Sequence, residues 1–219
     1  MCNSNIKSIF TKKYRMTSIL TGDIINSRNV PSDEWLPLLK TALNSIGNSP
    51  KTWEIYRGDS FQIEIKNIEK AMLFAIKLKT LLKGIKNLDV RIAIGIGTKN
   101  DNYNSITEGS GDAFINSGNA FDTLVKKQNL AISSPWLNFD EIINTTLAIA
   151  LLIMDNWSVN SSEFIVKYFY KPNATQKIIA KELGISESSA SERRKRAGLD
   201  EIIQMEKLYR KLIKEKINQ

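Results

Sequence analysis

The chain has 219 residues, a net charge of +8, one cysteine and no histidine. These counts exclude an internal disulfide, a thiolate zinc site and any catalytic triad or metal site that needs histidine. We expect no haem, flavin or zinc. Metal chemistry would depend on carboxylate oxygens, which favour Mg²⁺, Mn²⁺ or Ca²⁺.

No part of the chain has the sequence pattern of a membrane span. The most apolar stretch, 142–154, is shorter than the roughly 20 residues that a span needs, and it contains Asn144, Thr145 and Thr146. Residues 1–15 are polar with scattered lysines and lack a signal-peptide pattern. The expectation is a cytoplasmic protein with no membrane partner.

The positive charge is concentrated near the C-terminus. Residues 161–219 hold 13 Lys and Arg against 8 Asp and Glu, a net +5, whereas residues 1–160 hold 18 against 15, a net +3. A basic C-terminal part favours a polyanion partner, and a solvated basic surface is the alternative.

Apolar periodicity predicts the element order β-α-β-β-α-β-α-β before residue 137. The predicted elements are a strand at 17–25, a helix from 32, a hairpin at 53–65, a helix at 68–85, a strand at 90–97, a helix after 111 and a strand at 130–133. This order fits an α+β fold of the ferredoxin-like kind, with helices on one face of an antiparallel sheet.

Only helical patterns follow Pro135. The predicted organisation is an N-terminal extension at 1–15, an α+β domain at 16–137, a connecting helix at 138–160 and an all-α domain at 161–219. The last helix, 199–217, is amphipathic. It either pairs with its copy in a homodimer or packs on its own domain.

Two Gly-Asp pairs are the candidate site of the first domain. Asp23 ends the first strand, and Asp59 lies at the hairpin turn. Two carboxylates delivered by two apolar strands could hold a divalent cation, and the adjacent glycines would let a nucleotide approach the backbone. The alternative is that Asp23 and Asp59 are ordinary loop and turn residues.

The first 135 residues resemble the class III nucleotide cyclase and GGDEF superfamily at residues 21–24, 58–59, 91–97 and 111–114. The resemblance implies a nucleotide-cyclase-like fold in which Asp23, Asp59 and the Ile24 carbonyl hold Mg²⁺ or Mn²⁺ on a triphosphate. The implied nucleotide-binding residues are Gly22, Asn26, Ser27, Gly58 and Gly111.

The sequence departs from the cyclase pattern after Gly111. In that superfamily an asparagine and an arginine follow the helix start, but Ile115 and Asn119 stand at those positions, and a shift of one residue gives Asn116 and Ala120. Without this arginine, nothing stabilises the charge that develops on the phosphoryl group during transfer. We therefore predict no catalytic residues and favour a nucleotide sensor. A metal-dependent nucleotidyl cyclase or transferase using the two aspartates is the alternative.

Residues 175–194 have the spacing of a DNA-binding helix-turn-helix. Ala180 is small where two helices cross, Gly184 suits a left-handed turn, and Ser186 suits a helix N-cap. The alternative is a small helical bundle with a basic face. The predicted DNA-binding residues are Thr175, Gln176, Ser186, Glu187, Ser188, Ser189, Ser191, Arg193, Arg194, Lys195 and Arg196.

The ordered set of these motifs resembles the SatD family over the whole chain. The shared features are the opening strand at 22–27, the turn at 58–59, the strand at 94–97, the helix start at 111–114 and the helix-turn-helix at 175–186. The sequence therefore predicts a bacterial-type transcriptional regulator in which a nucleotide-sensing domain is joined to a DNA-binding domain.

Overall fold

A computed structural model describes residues 16–100, 102–124 and 128–218, and the predicted extension at 1–15 lies outside them. The strands are β1 (Thr17–Ile25), β2 (Trp53–Tyr56), β3 (Ser60–Ile65), β4 (Asp89–Gly97) and β5 (Leu130–Ser133). The helices are α1 (Ser32–Asn44), α2 (Ala71–Lys83), α3 (Asp112–Thr123), α4 (Leu137–Met154), α5 (Val159–Tyr170), α6 (Gln176–Glu182), α7 (Glu187–Arg196) and α8 (Leu199–Ile217).

The fold is α+β, as predicted, but the sheet is mixed. Its strand order is β2-β3-β1-β4-β5. β1 runs antiparallel to both β3 and β4, whereas β4 and β5 are parallel. The prediction of an antiparallel sheet was wrong at this edge, because α3 carries the chain back across the sheet between β4 and β5, as a parallel pair requires.

Helices cover both faces of the sheet, which differs from the one-face prediction. Successive residues of a strand point to opposite faces. Leu20 belongs to the main core with α1 and α2, whereas its neighbour Ile19 packs with Ala113 of α3. Gly95 permits this second layer, since a Cβ there would lie 2.1 Å from the backbone nitrogen of Ser117.

The C-terminal helices share one continuous core with the sheet and its helices. Tyr209 of α8 is fully buried, and its hydroxyl donates to the carbonyl of Ile68, 2.6 Å away. Its ring centroid lies 5.9 Å from that of Phe139 in α4. The apolar face of α8 is therefore used within its own chain, in contacts with residues outside the predicted domain at 161–219.

A buried ion cluster joins the sheet to the C-terminal helices. The Lys79 side chain in α2 is 1% exposed, and its Nζ lies 2.7 Å from carboxylate oxygens of both Asp89 and Asp155. Lys83, one turn later, donates to the Asp155 carbonyl at 2.7 Å. Because removing one partner would leave a buried charge uncompensated, the cluster holds α2, β4 and the end of α4 in one arrangement.

Candidate functional sites

Asp23 lies at the end of β1, opposite Arg91 of β4. The Arg91 guanidinium donates two hydrogen bonds to the carboxylate, Nε to Oδ1 at 2.9 Å and Nη2 to Oδ2 at 2.5 Å. The hydrogen bond to Asp23 raises the pKa of Arg91. A bidentate pair of this kind fixes both side chains strongly.

The Asp23–Arg91 pair does not fit the predicted metal site. Both Asp23 oxygens accept from Arg91, and the guanidinium is held further by the Phe121 ring of α3, 5.8 Å from its central carbon. A divalent cation could bind Asp23 only if Arg91 moved away. Among the described residues, no group of three or more Asp, Glu and Cys side chains is arranged to hold a metal ion.

Asp59 fixes the hairpin turn to the loop after β1. The Ser27 hydroxyl donates to the Asp59 carboxylate at 2.6 Å, and the Ile24 backbone N–H donates to the Asp59 carbonyl at 3.1 Å. The Ile24 side chain is buried in the core. These contacts give Asp59, Ser27 and Ile24 a structural role at this end of the sheet.

The structure does not bring the predicted nucleotide-binding residues into one site. Gly22 is buried, and a Cβ there would lie 2.4 Å from the Phe61 ring, so glycine serves packing here. Gly58, by contrast, has open space around it and φ of +89°. Gly111 adjoins Thr98, at the end of the sheet where Thr17 pairs with Gly97. Asp23 lies six residue steps further along β1, which places it about 20 Å from that end.

Asn26, the remaining predicted nucleotide residue, borders a cleft of about 460 Å³. Its side chain donates to the Asn87 carbonyl at 2.9 Å. The cleft is also lined by Lys83, Lys86 and Trp157. Sequence reasoning missed it, because its walls come from four separate segments near residues 26, 86, 129 and 158.

The cleft has a direct structural connection to the C-terminal helices. The Trp157 indole N–H donates to the Ala197 carbonyl at 2.8 Å, at the turn between α7 and α8. Ser158, also in the wall, is the N-cap of α5, and its hydroxyl accepts from the Ser161 N–H at 3.2 Å. A molecule in the cleft would therefore touch residues that position both α5 and α7.

α6 and α7 form the second candidate site, with caps at both N-termini. The Thr175 hydroxyl accepts from the Ile178 N–H at 3.4 Å, and the Ser186 hydroxyl accepts from the Ser189 N–H at 3.1 Å. Gly184 in the turn has φ of +64°, the left-handed conformation expected from the sequence.

Small buried residues let these two helices cross closely. Ala180 of α6 is 1% exposed, and Ala190 of α7 is fully buried. The Ile185 N–H donates to the Ala180 carbonyl at 3.0 Å, which closes the turn onto α6. The Gln176 side chain reaches the Glu187 carbonyl at 3.4 Å. The local predictions for the cap at Ser186, the left-handed turn at Gly184 and the small buried residue at Ala180 are confirmed. The cap at Thr175 was not predicted.

α7 presents one polar face to solvent. Its exposed residues are Glu187, Ser188, Ser189, Ser191, Glu192, Lys195 and Arg196. The Arg196 guanidinium donates to the Glu192 carboxylate one turn earlier at 2.9 Å. All seven exposed residues except Glu192 are among the residues predicted to bind DNA. Two further residues of that prediction, Thr175 and Gln176, lie at the start of α6.

Arg193 and Arg194 instead hold α7 to its neighbouring helices. Arg193 donates to the Glu163 carboxylate of α5 at 3.1 Å. Arg194 pairs with Asp200 of α8 through two hydrogen bonds, and its guanidinium lies 5.3 Å from the Tyr168 ring centroid. The hydrogen bond raises the pKa of Arg194 and lowers the pKa of Asp200.

The structure defines the class of the protein as α+β, with a five-stranded mixed sheet and C-terminal helices that share its core. A family model described as the SatD family matches residues 18–213. The chain therefore belongs to the SatD family, as its motifs suggested. No curated protein matches the chain.

Proposed function

We propose that the protein is a transcriptional regulator that binds duplex DNA through a helix-turn-helix formed by α6 and α7. The observation that carries the proposal is the exposed face of α7, which is polar and has three serines among its seven exposed residues. α7 is capped at its N-terminus and crosses the capped helix α6 closely. Short side chains let a helix approach the floor of the major groove, and serine can donate to or accept from base edges there.

The charges around α7 support this proposal. Lys195 and Arg196 lie exposed in its last turn, and Lys177 and Lys181 are exposed on α6. Such cations can contact phosphates on either side of a groove. Glu187, at the start of α7, would be unfavourable beside a phosphate, but a carboxylate can accept a hydrogen bond from the amino group of cytosine.

Binding to duplex DNA should be measurable and strongly salt-dependent. We expect the full chain to shift labelled genomic fragments at low salt, with a slope of roughly −4 in log K against log salt, as expected for about four phosphate contacts. Fluorescence anisotropy over a salt series measures both quantities. Absence of any shift at about 50 mM salt would contradict the proposal.

A second candidate function is the sensing of a nucleotide or another phosphate-bearing anion in the cleft beside Asn26. The specific observation is Lys86, exposed at a cleft whose wall residue Trp157 bonds to the end of α7. Lys83 also lines the cleft, but its Nζ donates to the Asp155 carbonyl and lies 3.7 Å from the Asp89 carboxylate. Occupation of the cleft could change the position of α7 through the Trp157 bond. This input would not require a metal ion at Asp23.

Calorimetry distinguishes this sensor from the metal-dependent enzyme. If the cleft is a sensor, a nucleoside triphosphate should bind without Mg²⁺ or Mn²⁺. Lys86→Glu should weaken this binding about 10-fold, and the control Lys66→Glu, at the other end of the sheet, should leave it unchanged. The enzyme predicts manganese-dependent binding and turnover, both lost in Asp23→Asn. Absence of heat with all four ribonucleoside triphosphates contradicts both functions.

A further inference from the structure

The outward face of α4 is apolar and carries no charge from residue 142 to residue 154. Ile142 is 47% exposed, Ile149 is 63% exposed and Leu152 is 73% exposed. Charged residues make up 25% of the chain, so an uncharged exposed helix face of this length is unusual for it. Contiguous exposed apolar residues of this kind mark interaction surfaces.

Six exposed residues, five on α4 and one just after it, follow the spacing of a helix–helix seam. Their separations alternate between four and three residues, which is the heptad pattern of two helices packed along their length. All the members are exposed. We call this set the α4 stripe: Asn138, Ile142, Thr145, Ile149, Leu152 and Asn156.

A lipid bilayer is a poor occupant for the α4 stripe. Among the described residues α4 alone is long and apolar enough to span a membrane. However, its opposite face, including Phe139, Ile143 and Leu147, is buried in the protein core. The apolar part of the stripe, from Ile142 to Leu152, is about 15 Å long, half of a bilayer core.

We propose that the α4 stripe pairs with the α4 stripe of a second copy of the chain, antiparallel about a two-fold axis at the level of residue 147. The stripe is complementary to itself in this arrangement. Ile142 would face Leu152 of the other copy, and Thr145 would face Ile149. The two asparagines, Asn138 and Asn156, would face each other at the polar ends, as the rim of an interface requires.

Charge favours the antiparallel over the parallel arrangement. Glu141 is exposed beside the stripe. In an antiparallel pair the two copies of Glu141 lie about 18 Å apart along the axis, whereas a parallel pair would put these like charges side by side. Ala148, exposed near the axis, is small enough to let the helices approach closely.

The area of the seam predicts a dimer of moderate affinity. An 18-residue helix is about 27 Å long, and a seam of that length buries roughly 500 Å² on each copy. The total, about 1,000 Å², is at the lower limit of specific interfaces, so we expect a micromolar dissociation constant. On α8 the exposed large apolar residues, Leu208 at 36% and Ile217 at 49%, are nine residues apart and form no comparable stripe.

The pairing does not depend on DNA binding, but it would position two copies of α7. α4 is joined to α5 by the short segment 155–158, and α5 contacts α7 through Glu163 and Arg193. A rigid pair of α4 helices would thus set the separation of the two recognition helices. Dimeric helix-turn-helix proteins need that separation to match half-sites one helical turn apart.

Sedimentation of the full chain over a concentration series tests the pairing. We expect a monomer–dimer equilibrium, and the variant Ile149→Asp/Leu152→Asp should raise the dissociation constant more than about 100-fold, because it places four carboxylates in an apolar seam. The matched control is Ile115→Asp on α3, which is 59% exposed and should leave the equilibrium unchanged. Circular dichroism checks that each variant is folded.

Cysteine cross-linking tests the orientation in a Cys2→Ser background. Ala148→Cys should form a disulfide-linked dimer on oxidation, because the two sulfurs lie near the axis, whereas Glu141→Cys should not. Any of three outcomes would overturn the proposal. The full chain could remain a monomer at about 100 µM, the Ile115→Asp control could lose the dimer equally, or Glu141→Cys could cross-link as fast as Ala148→Cys.

Discussion

Exchanging both Lys195 and Arg196 for glutamate is expected to weaken binding to duplex DNA at least about 100-fold. Both side chains lie exposed in the last turn of α7, where a helix in the major groove meets the phosphates. The exchange removes two contacts and adds two repulsions. The salt slope should become shallower by about two, since two fewer counterions are released.

The control for this variant is Lys51→Glu/Lys66→Glu, which changes the net charge equally but alters exposed residues of the α+β part. If binding depends on α7, the control retains most of its affinity in the same anisotropy series. Equal losses in the two variants would show that net charge alone causes binding and would remove the basis for assigning it to α7.

The Arg193 and Arg194 variants should behave differently from those at Lys195 and Arg196. Their guanidinium groups hold α7 to Glu163 of α5 and to Asp200 of α8, so their loss should lower stability as well as affinity. The basic cluster that the sequence presents as four equivalent residues therefore divides into two that orient the helix and two that are exposed at its end.

The second large effect is expected for Gly95→Ala, which should lower the free energy of unfolding by about 3 kcal/mol. The added Cβ would lie 2.1 Å from the Ser117 nitrogen and 2.2 Å from the Ala113 carbonyl oxygen. Both are backbone atoms of α3, so relief requires the whole helix to move away from the sheet. Urea denaturation followed by circular dichroism measures the change.

Gly118→Ala is the matched control for Gly95→Ala. Gly118 lies within α3, and an added Cβ would meet no atom within 4 Å. Alanine is favoured over glycine inside a helix, so this variant should be more stable by about 0.5–1 kcal/mol. A Gly95→Ala protein as stable as the Gly118→Ala protein would show that α3 does not pack on β4 as closely as described.

The candidate site at Asp23 and Asp59 was only partly predictable from the sequence. Asp23 and Asp59 were found because Gly-Asp pairs at strand ends are visible in the sequence, and both do lie at the same end of the sheet. In the sequence Arg91 is only one residue of the predicted strand at 90–97. Its bond to Asp23 depends on the register of β1 against β4, 68 residues apart, which no local pattern contains.

Residues near each other in the sequence determined much of this protein. The first strand and the last helix occupy their predicted ranges, 17–25 and 199–217, and the left-handed turn at Gly184 and the cap at Ser186 are as expected. These features depend on side-chain periodicity and on backbone preferences within a few residues.

Only the tertiary structure decided the pairing of Asp23 with Arg91, the parallel placement of β5, the position of α3 on the second face and the burial of α8 against its own chain. Each of these depends on contacts between segments distant in sequence, where several arrangements satisfy the same local pattern. Close packing and the pairing of buried charges select among those arrangements, because each mismatch costs a few kcal/mol.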